Sequence, residues 1–421
     1  MKKSLLVLSF LLPTALYAAC PRGTTLKGEL AGQDLCALKG KYLDSDLLLT
    51  AENRYLIEDG VFIGGDNTNS SNLRIQAGTV IHGSPASFIA VLRGSKIFAE
   101  GTAERPIVFT TLSLTNRKRG EWGGLVLNGN APINPCKPGT PVCEAVSEGI
   151  KVEPVMFGGN NSADSSGVLR YVRIEFGGYP ISPDNELNGI TFNGVGAGTE
   201  VDFVQVNMNA DDGVEFFGGT VNVKHLALTN NEDDSMDWDF GFQGKVQFLL
   251  AQQSDDNSDN GIEADNLKSP MNAEPRSNPT ISNATFLGGK NSAYGLLLRR
   301  GTSLVMMNSI ITGFTKACID LDDAETFNHG GLTIQNSLVD CAKNFEIEAG
   351  DPWSTEEWFR GQLGNLLTPA LLHGHFPAAN SPARGAGVTP DDLFFDPVDY
   401  LGAFADDSDD WMAGWTSTVT E

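Results

Sequence analysis

The sequence repeats one pattern three times: NADDGVEFFGGT (residues 209–220), NEDDSMDWDFG (231–241) and QQSDDNSDNGIEADN (252–266). In each copy a pair of aspartates precedes a short segment in which residue polarity alternates. The first aspartates of the pairs, Asp211, Asp233 and Asp255, are separated by 22 residues each time. Repeats of about 20–25 residues that consist of short β-segments and turns are typical of parallel β-solenoids, in which each repeat forms one coil. We therefore predict an all-β parallel solenoid.

The alternation predicts which side chains fill the solenoid. With Gly213, Ser235 and Gly261 taken as equivalent, the residues one and three places later are mostly apolar: Val214, Met236, Ile262, Phe216, Trp238 and Ala264. Successive side chains of a strand point to opposite faces, so these residues should face inward. The residues two and four places later should point outward: Glu215, Asp237, Glu263, Phe217, Asp239 and Asp265.

The N-terminus predicts export. Residues 1–19 have the features of a signal peptide, because two lysines precede an apolar run (residues 5–12) and Ala18-Ala19 offers a cleavage site. The run is too short to span a membrane. Cys20 directly after this site raises lipidation as an alternative, but the tyrosine three places earlier fits a lipoprotein signal poorly. We expect an extracellular, periplasmic or outer-membrane surface location.

Cysteines and charge agree with export. Six cysteines favour an oxidising compartment. They fall into three near-neighbour pairs that we expect to be disulfides: Cys20–Cys36, Cys136–Cys143 and Cys318–Cys341. Without the two signal lysines the chain has 27 basic and 53 acidic residues, a net charge near −26. This charge argues against nucleic acids and anionic membranes as partners.

We interpret the mature chain as one capped solenoid, since no linker is evident. Residues 20–60 are expected to form an N-terminal cap with the first strands, residues 61–350 the parallel β-helix and residues 351–421 a C-terminal cap. Two proline-containing segments interrupt the coils, an excursion at residues 128–168 and a loop at 268–279. The excursion either shapes a binding site or acts as a stabilising flap.

The C-terminal cap should contain a helix. Ser354 and Glu357 have the spacing of a capping box, which predicts a helix that begins there. Trp358, Leu363 and Leu366 are expected to cover the open end of the solenoid.

Several long segments carry a family resemblance. The segments LRIQAGTVIHG (residues 73–83) and GSKIFAEGTAERPIVFTT (94–111) resemble secreted bacterial proteins of the pectin-lyase-like fold. Other segments are similar to one subfamily of these proteins: EWGGLVLNGNAPIN (121–134), RYVRIEFGG (170–178), ADDGVEFFGGTVNVKHL (210–226) and DDSMDWDFG (233–241). The resemblance implies export and a right-handed single-stranded parallel β-helix. It implies no particular activity.

The outward carboxylates are the candidates for metal binding. Thirteen carboxylates lie between residues 211 and 265, and only Lys224 and Lys245 offset them. Stacked carboxylates about 5 Å apart repel by roughly 3 kcal/mol per pair at an effective dielectric of 20. Three outcomes can relieve this repulsion: protonation, solvation with counter-ions, or a bound divalent cation, for which oxygen ligands indicate Ca²⁺. The candidate metal ligands are Asp211, Asp212, Glu215, Asp233, Asp234 and Asp237.

The same face offers candidates for ligand binding and catalysis. We expect the ligand to contact Glu215, Asp237, Asp239, Glu263 and Asp265. As catalytic residues, Asp211 and Asp212 with Asp233 and Asp234 could supply the acid and base of a glycosidase. Arg299 could serve as the base of a lyase. Alternatively, Arg299 and Arg300 form ion pairs with Asp265 and Asp322 on neighbouring coils.

These observations lead to one functional prediction with two alternatives. We predict an exported protein that binds a polysaccharide or another cell-surface component through a Ca²⁺-linked acidic face. The first alternative is a polysaccharide lyase or glycoside hydrolase that uses this face. The second is a purely structural surface module.

Overall fold

The computed structural model describes residues 19–44, 46–150, 154–181, 187–328 and 331–420. Its first strands are β1 (Thr25–Leu30), β2 (Gln33–Tyr42), β3 (Leu47–Leu49), β4 (Arg54–Ile63), β5 (Asn72–Ile75), β6 (Val80–Gly83), β7 (Phe88–Val91), β8 (Lys96–Glu100), β9 (Ile107–Thr111), β10 (Leu125–Asn128), β11 (Ala145–Val146), β12 (Met156–Phe157), β13 (Gly167–Glu175), β14 (Ile190–Asn193) and β15 (Glu200–Asn207). The next are β16 (Val214–Phe217), β17 (Asn222–Thr229), β18 (Met236–Asp239), β19 (Lys245–Gln252), β20 (Ile262–Ala264), β21 (Thr280–Leu287), β22 (Tyr294–Leu298), β23 (Val305–Met307), β24 (Ile310–Thr312) and β25 (Ala317–Leu321). The remaining elements are helix α1 (Ala324–Asn328), β26 (Thr333–Gln335), β27 (Leu338–Asp340), helix α2 (Thr355–Gly361), β28 (Leu366–Leu367), β29 (Leu372–His373) and β30 (Phe376–Pro377).

The fold is the predicted right-handed single-stranded parallel β-helix. One series of short strands stacks in parallel, each on the next coil: β7, β10, β14, β16, β18, β20, β22 and β25. A second series of longer strands stacks in the same way: β13, β15, β17, β19 and β21. Coils are already stacked near the N-terminus, where β2 pairs with β4 in parallel.

The register of the central coils is the predicted one. Val214 pairs with Met236, which pairs with Ile262, and all three side chains are buried. Trp238 lies inside, between Phe216 and Ala264, and is 0% exposed. The alternating pattern therefore places the apolar side chains in one continuous core.

The long strands bend in the middle around a stack of rings. Tyr171, Phe203, His225 and Phe248 all have positive φ, between 46° and 60°. Such a backbone costs an L-residue roughly 1–2 kcal/mol. Ring stacking on successive coils offsets this cost, with centroid distances of 4.4, 4.1 and 4.8 Å along the series. His225 is thus a structural residue, and its Nδ1 also lies 2.8 Å from Asp202 Oδ1.

Both ends of the solenoid are covered. At the N-terminal end, β1 pairs with β2 in antiparallel orientation. At the other end, Ser354 caps α2 by accepting a hydrogen bond from the backbone N–H of Glu357, as predicted. Thr355 and Phe359 are the buried residues of this helix, and Trp358 packs against the core as predicted. Leu363 is 70% exposed and does not cover the core.

The C-terminal segment returns along the outside of the coils. Three side-chain amides each exchange two hydrogen bonds of 2.7–2.9 Å with its backbone: Gln205 with Ser417, Gln247 with Asp396, and Asn308 with Val388. These amides act like the backbone of an extra strand and satisfy peptide groups that irregular structure would otherwise leave unpaired. No pattern in the sequence predicts these amide contacts.

The three predicted disulfides are confirmed: Cys20–Cys36, Cys136–Cys143 and Cys318–Cys341. The predicted signal peptide lies outside the described residues apart from Ala19. Neither of the short helices that the structure describes has the length and apolar character required to cross a bilayer.

Candidate functional site

Three adjacent coils bring the predicted carboxylates together on one face. Strands β16, β18 and β20 place Glu215, Asp237 and Glu263 in one column, outside the core. The turns that precede β16 and β18 add Asp212 and Asp234, which are buried. Glu215, Asp237 and Glu263 are half-buried. We call these five residues the carboxylate column.

A ladder of hydrogen bonds fixes the turns. The backbone N–H of Asp234 donates to Asp212 Oδ1 at 3.0 Å, and the N–H of Asn260 donates to Asp234 Oδ1 at 2.7 Å. The backbone N–H of Tyr294 continues the series by donating to Asn260 Oδ1 at 3.2 Å. One carboxylate oxygen of each turn aspartate thus accepts a backbone N–H from the next coil. The second oxygen can contact the carboxylates of the column.

Sequence reasoning missed two amides in this ladder. Asn188 occupies the position of Asp212 one coil earlier, and its Nδ2 donates to Glu215 Oε2 at 2.5 Å. Asn260 holds the same position two coils later. Alignment of the residues just before each short strand would have identified both, since Asn or Asp occupies this place in four successive coils.

The third aspartate pair does not stack on the first two. The distance along the chain from Val214 to its partner Met236 is 22 residues, but from Met236 to its partner Ile262 it is 26. The longer turn carries Asp255 and Asp256 away from the face. Asp255 pairs with Lys290, and Asp256 lies 2.8 Å from an Arg119 nitrogen.

Asp259 therefore takes the place that the repeat predicted for Asp255. It forms a group of carboxylates with Asp233 and Asp234. The regular 22-residue spacing of the aspartate pairs was misleading, because insertions lengthen a turn without changing the pairing of the strands.

The carboxylate column is covered rather than freely solvated. Burial is the largest cause that raises the pKa of Asp212, Asp234, Asp237 and Glu215 well above the usual range. Neighbouring carboxylates add to it, such as Glu215 beside Asp237. Asp212 and Asp234 are buried and do not belong to a solvated face, whereas Glu215 and Asp237 remain partly exposed. Only Asp233 among the predicted metal ligands is exposed.

Four groups of three carboxylates are close enough to hold a cation, with ligand oxygens within 4.8 Å of one another. They are Asp211, Asp212 and Asp233; Asp212, Glu215 and Asp237; Asp233, Asp234 and Asp259; and Asp234, Asp237 and Glu263. Each predicted metal ligand occurs in at least one of them. The Oδ1 atom of Asp237 is buried and has no hydrogen-bond partner among the described residues. An all-oxygen donor set with an unsatisfied buried acceptor fits Ca²⁺.

Arg299 is held by the carboxylates next to the column. Its Nε lies 2.9 Å from Asp265 Oδ1, and another nitrogen contacts Glu263. Arg300 also contacts Asp265. Burial disfavours the charge on Arg299, but Asp265 and Glu263 outweigh burial and raise the pKa of the guanidinium. A side chain held in this way keeps its proton and is a poor general base.

Asp239 differs from its neighbours in the same strand series. It follows Trp238 on β18 and accepts a hydrogen bond from the backbone N–H of Phe240 at 2.6 Å. Burial raises the pKa of Asp239 to about 8. A carboxyl group whose pKa is raised in this way is a candidate proton donor.

The excursion and the loop form a wall beside this face. Ile133 and Phe157 of the excursion pack on Phe217, which is therefore buried although it points outward. Asn134 Nδ2 donates to Asn266 Oδ1 at 2.8 Å and joins the excursion to the turn that begins the loop. A cleft of roughly 460 Å³ lies between residues 132–143 of the excursion and residues 270–275 of the loop.

Asp320 on β25 was not recognised as unusual in the sequence. Burial raises the pKa of Asp320 to about 7, and the nearby Asp322, Glu348 and Glu346 contribute. Its side chain points outward in the same column, but Leu297 of β22 separates it from Glu263.

Asp320 should make stability depend on pH. The folded protein holds the Asp320 proton more tightly than the unfolded chain, because the usual pKa is 3.8. The stabilisation is complete below pH 3.8 and is lost as the pH rises through 7. Asp320→Asn should therefore be more stable than the wild type at pH 8, by up to about 4 kcal/mol. Thermal melts of both proteins at about pH 4, 6 and 8 test this. If the extra stability of Asp320→Asn over the wild type does not shrink towards about pH 4, the prediction is contradicted.

Comparison with known proteins gives a family and one distant structural match. The model of the pectate-lyase-like beta helix domain matches residues 40–351. No curated protein matches the chain. Among solved structures, the crystal structure of the Dettilon tailspike protein (gp208) matches with 11% sequence identity and a TM-score of 0.24. The match covers 76% of this chain and 59% of the tailspike chain, which is less than two thirds of the latter.

Proposed function

This chain belongs to the pectate-lyase-like beta helix domain family, and from that premise we propose that it is an exported protein that binds a polysaccharide or another cell-surface component. In this proposal the binding face is the acidic face of the central coils, and Ca²⁺ links it to the ligand. Three disulfides and a strongly negative chain agree with an extracellular or periplasmic location.

The buried Oδ1 atom of Asp237, which lacks a partner among the described residues, is the observation that carries the proposal. Glu215 and Glu263 lie on either side of Asp237 in the neighbouring coils. Close carboxylates that are removed from water are costly unless protons or cations compensate them. Ca²⁺ suits this place because it accepts several oxygen ligands in flexible geometry and can keep positions for ligand oxygens.

Bound Ca²⁺ also explains how a strongly negative protein attracts an acidic polysaccharide. A chain with 53 acidic and 29 basic residues repels an acidic polysaccharide. A cation on the face lowers the local negative charge and can coordinate sugar hydroxyl or carboxylate oxygens. We propose that Glu215, Asp237, Asp239, Glu263 and Asp265 line the contact, with Asp211, Asp212, Asp233 and Asp234 at its edge. The wall formed by the excursion limits the ligand on one side.

An enzyme that uses the same face is the second candidate function, and Asp239 favours it. A carboxylic acid with a pKa of about 8 has the protonation state that a general acid needs near neutral pH. The ion pairs of Arg299 count against a lyase in which this residue is the base. A structural module remains the third candidate.

A binding and turnover screen separates the three candidates. Purified mature protein is titrated with polyuronates and neutral glycans in Ca²⁺, Mg²⁺ and chelator, and each mixture is assayed for new reducing ends and unsaturated products. We expect saturable binding that requires Ca²⁺ and yields no product. Products would indicate the enzyme, and absence of binding to any glycan in Ca²⁺ would favour the structural module.

The repeat offers a matched pair of variants for this screen. Asp237→Asn should abolish the Ca²⁺-dependent binding. Asp255→Asn removes a carboxylate from the same sequence motif, but Asp255 pairs with Lys290 away from the face. This control should bind like the wild type, and an equal loss in both variants would show that the effect is only one of net charge.

A further inference from the structure

We propose that the carboxylate column binds two divalent cations, one in each of two neighbouring gaps between coils, and that Asp237 bridges them. This inference rests on the proposed Ca²⁺-linked face and specifies how many ions that face holds. It follows from how the coils repeat the ligand set.

Two of the carboxylate groups are the same arrangement moved by one coil. The first contains Asp212, Glu215 and Asp237, and the second contains Asp234, Asp237 and Glu263. The strand register relates Glu215 to Asp237 and Asp237 to Glu263, while the turn ladder relates Asp212 to Asp234. Whatever cation fits the first gap therefore meets equivalent ligands in the second.

Asp237 is the only member that the two groups share. Neighbouring coils lie about 4.8 Å apart, so ions in successive gaps are separated by about this distance. A carboxylate between them has two oxygens and can give one to each ion. The lack of a hydrogen-bond partner for Asp237 Oδ1 among the described residues agrees with this role.

When all five carboxylates are ionised, the charge of the column favours two ions over one. Its five carboxylates carry five negative charges when ionised, and Arg299 compensates one of them at Glu263. Two divalent cations compensate the other four. A single divalent cation would leave two negative charges without a counter-charge on a covered surface, which is unfavourable.

The neighbouring coils explain why the series stops at two. In the coil before Glu215, the column position is Thr191, and the turn position is Asn188. In the coil after Glu263, the column position is Leu297. Among the described coils from β14 to β22, only the two central gaps therefore have a column carboxylate on both sides. The two groups at the turn include the exposed Asp233, whose charge water can solvate, and we assign no ion to them.

Counting the bound ions tests the proposal. Mature protein stripped with chelator is titrated with Ca²⁺ by calorimetry, and the bound ions are counted by native mass spectrometry. We expect two ions per chain in the wild type. Glu215→Gln and Glu263→Gln should each retain one ion, whereas Asp237→Asn should retain none at millimolar Ca²⁺. Asp255→Asn is the control and should retain two.

The outcomes distinguish this inference from the function on which it rests. One ion in the wild type, or one ion retained by Asp237→Asn, would overturn the bridged pair and leave a Ca²⁺-linked face intact. No ion in the wild type would contradict the Ca²⁺-linked face itself. The wild-type count decides the number of ions even where a variant fails to fold.

Discussion

Trp238→Asp is expected to prevent folding of the protein. Trp238 is 0% exposed and lies in register between Phe216 and Ala264. Its indole N–H donates to Thr302 Oγ1 at 3.0 Å across the core. The aspartate would leave a large cavity and bury a charge without a partner. Since native proteins are stable by only about 5–15 kcal/mol, the combined cost removes the folded state.

Trp238→Phe is the control for this prediction. Phenylalanine keeps an aromatic ring inside but loses volume and the hydrogen bond to Thr302, so we expect a folded protein with a loss of about 1–3 kcal/mol. Soluble yield, circular dichroism and thermal melts of both variants give the comparison. A soluble Trp238→Asp protein that melts like the wild type would contradict the inward position of residue 238.

Millimolar Ca²⁺ is expected to raise the melting temperature of the wild type. An ion that binds only the native state adds RT ln(1 + [L]/Kd), which is about 2.7 kcal/mol at a hundredfold excess over Kd. Mg²⁺ should have a smaller effect because it demands near-octahedral geometry and gives up water reluctantly. Thermal melts in Ca²⁺, Mg²⁺ and chelator measure the difference. Identical curves in all three would show that the face holds no cation.

Asp237→Asn should remove most of this Ca²⁺ response. In chelator the same change should stabilise the protein slightly, because it relieves repulsion from Glu215 and Glu263 on either side. Asp255→Asn keeps the carboxylate column complete and should respond to Ca²⁺ like the wild type. An undiminished response in Asp237→Asn would place the cation elsewhere.

The repeat was sufficient to predict the strands but not the turns between them. Alternation placed Val214, Met236 and Ile262 inside, since a strand that slips by one residue would expose its whole apolar side. Turn length has no such constraint. The 26-residue coil therefore moved Asp255 off the face and put Asp259 in its place.

The sequence also predicted the direction of the carboxylates but not their burial. The alternation of the strand sets the face to which a carboxylate side chain points. Its burial depends on contacts with segments that are distant in the sequence. Asn188 binds Glu215 from 27 residues away, and Asn134 joins the excursion to Asn266 across 132 residues. Without those contacts, a solvated face was the reasonable expectation for Asp212, Asp234 and Asp237.

By itself, the sequence determined the solenoid, its register, its disulfide pairs and the face on which the acidic residues gather, because neighbours in a coil repeat at nearly fixed spacing. Only the tertiary structure decided which carboxylates meet and which are buried. The same holds for the C-terminal segment, where Gln205 binds Ser417 across 212 residues. These contacts depend on chain packing across long separations, where no periodic pattern in the sequence records them.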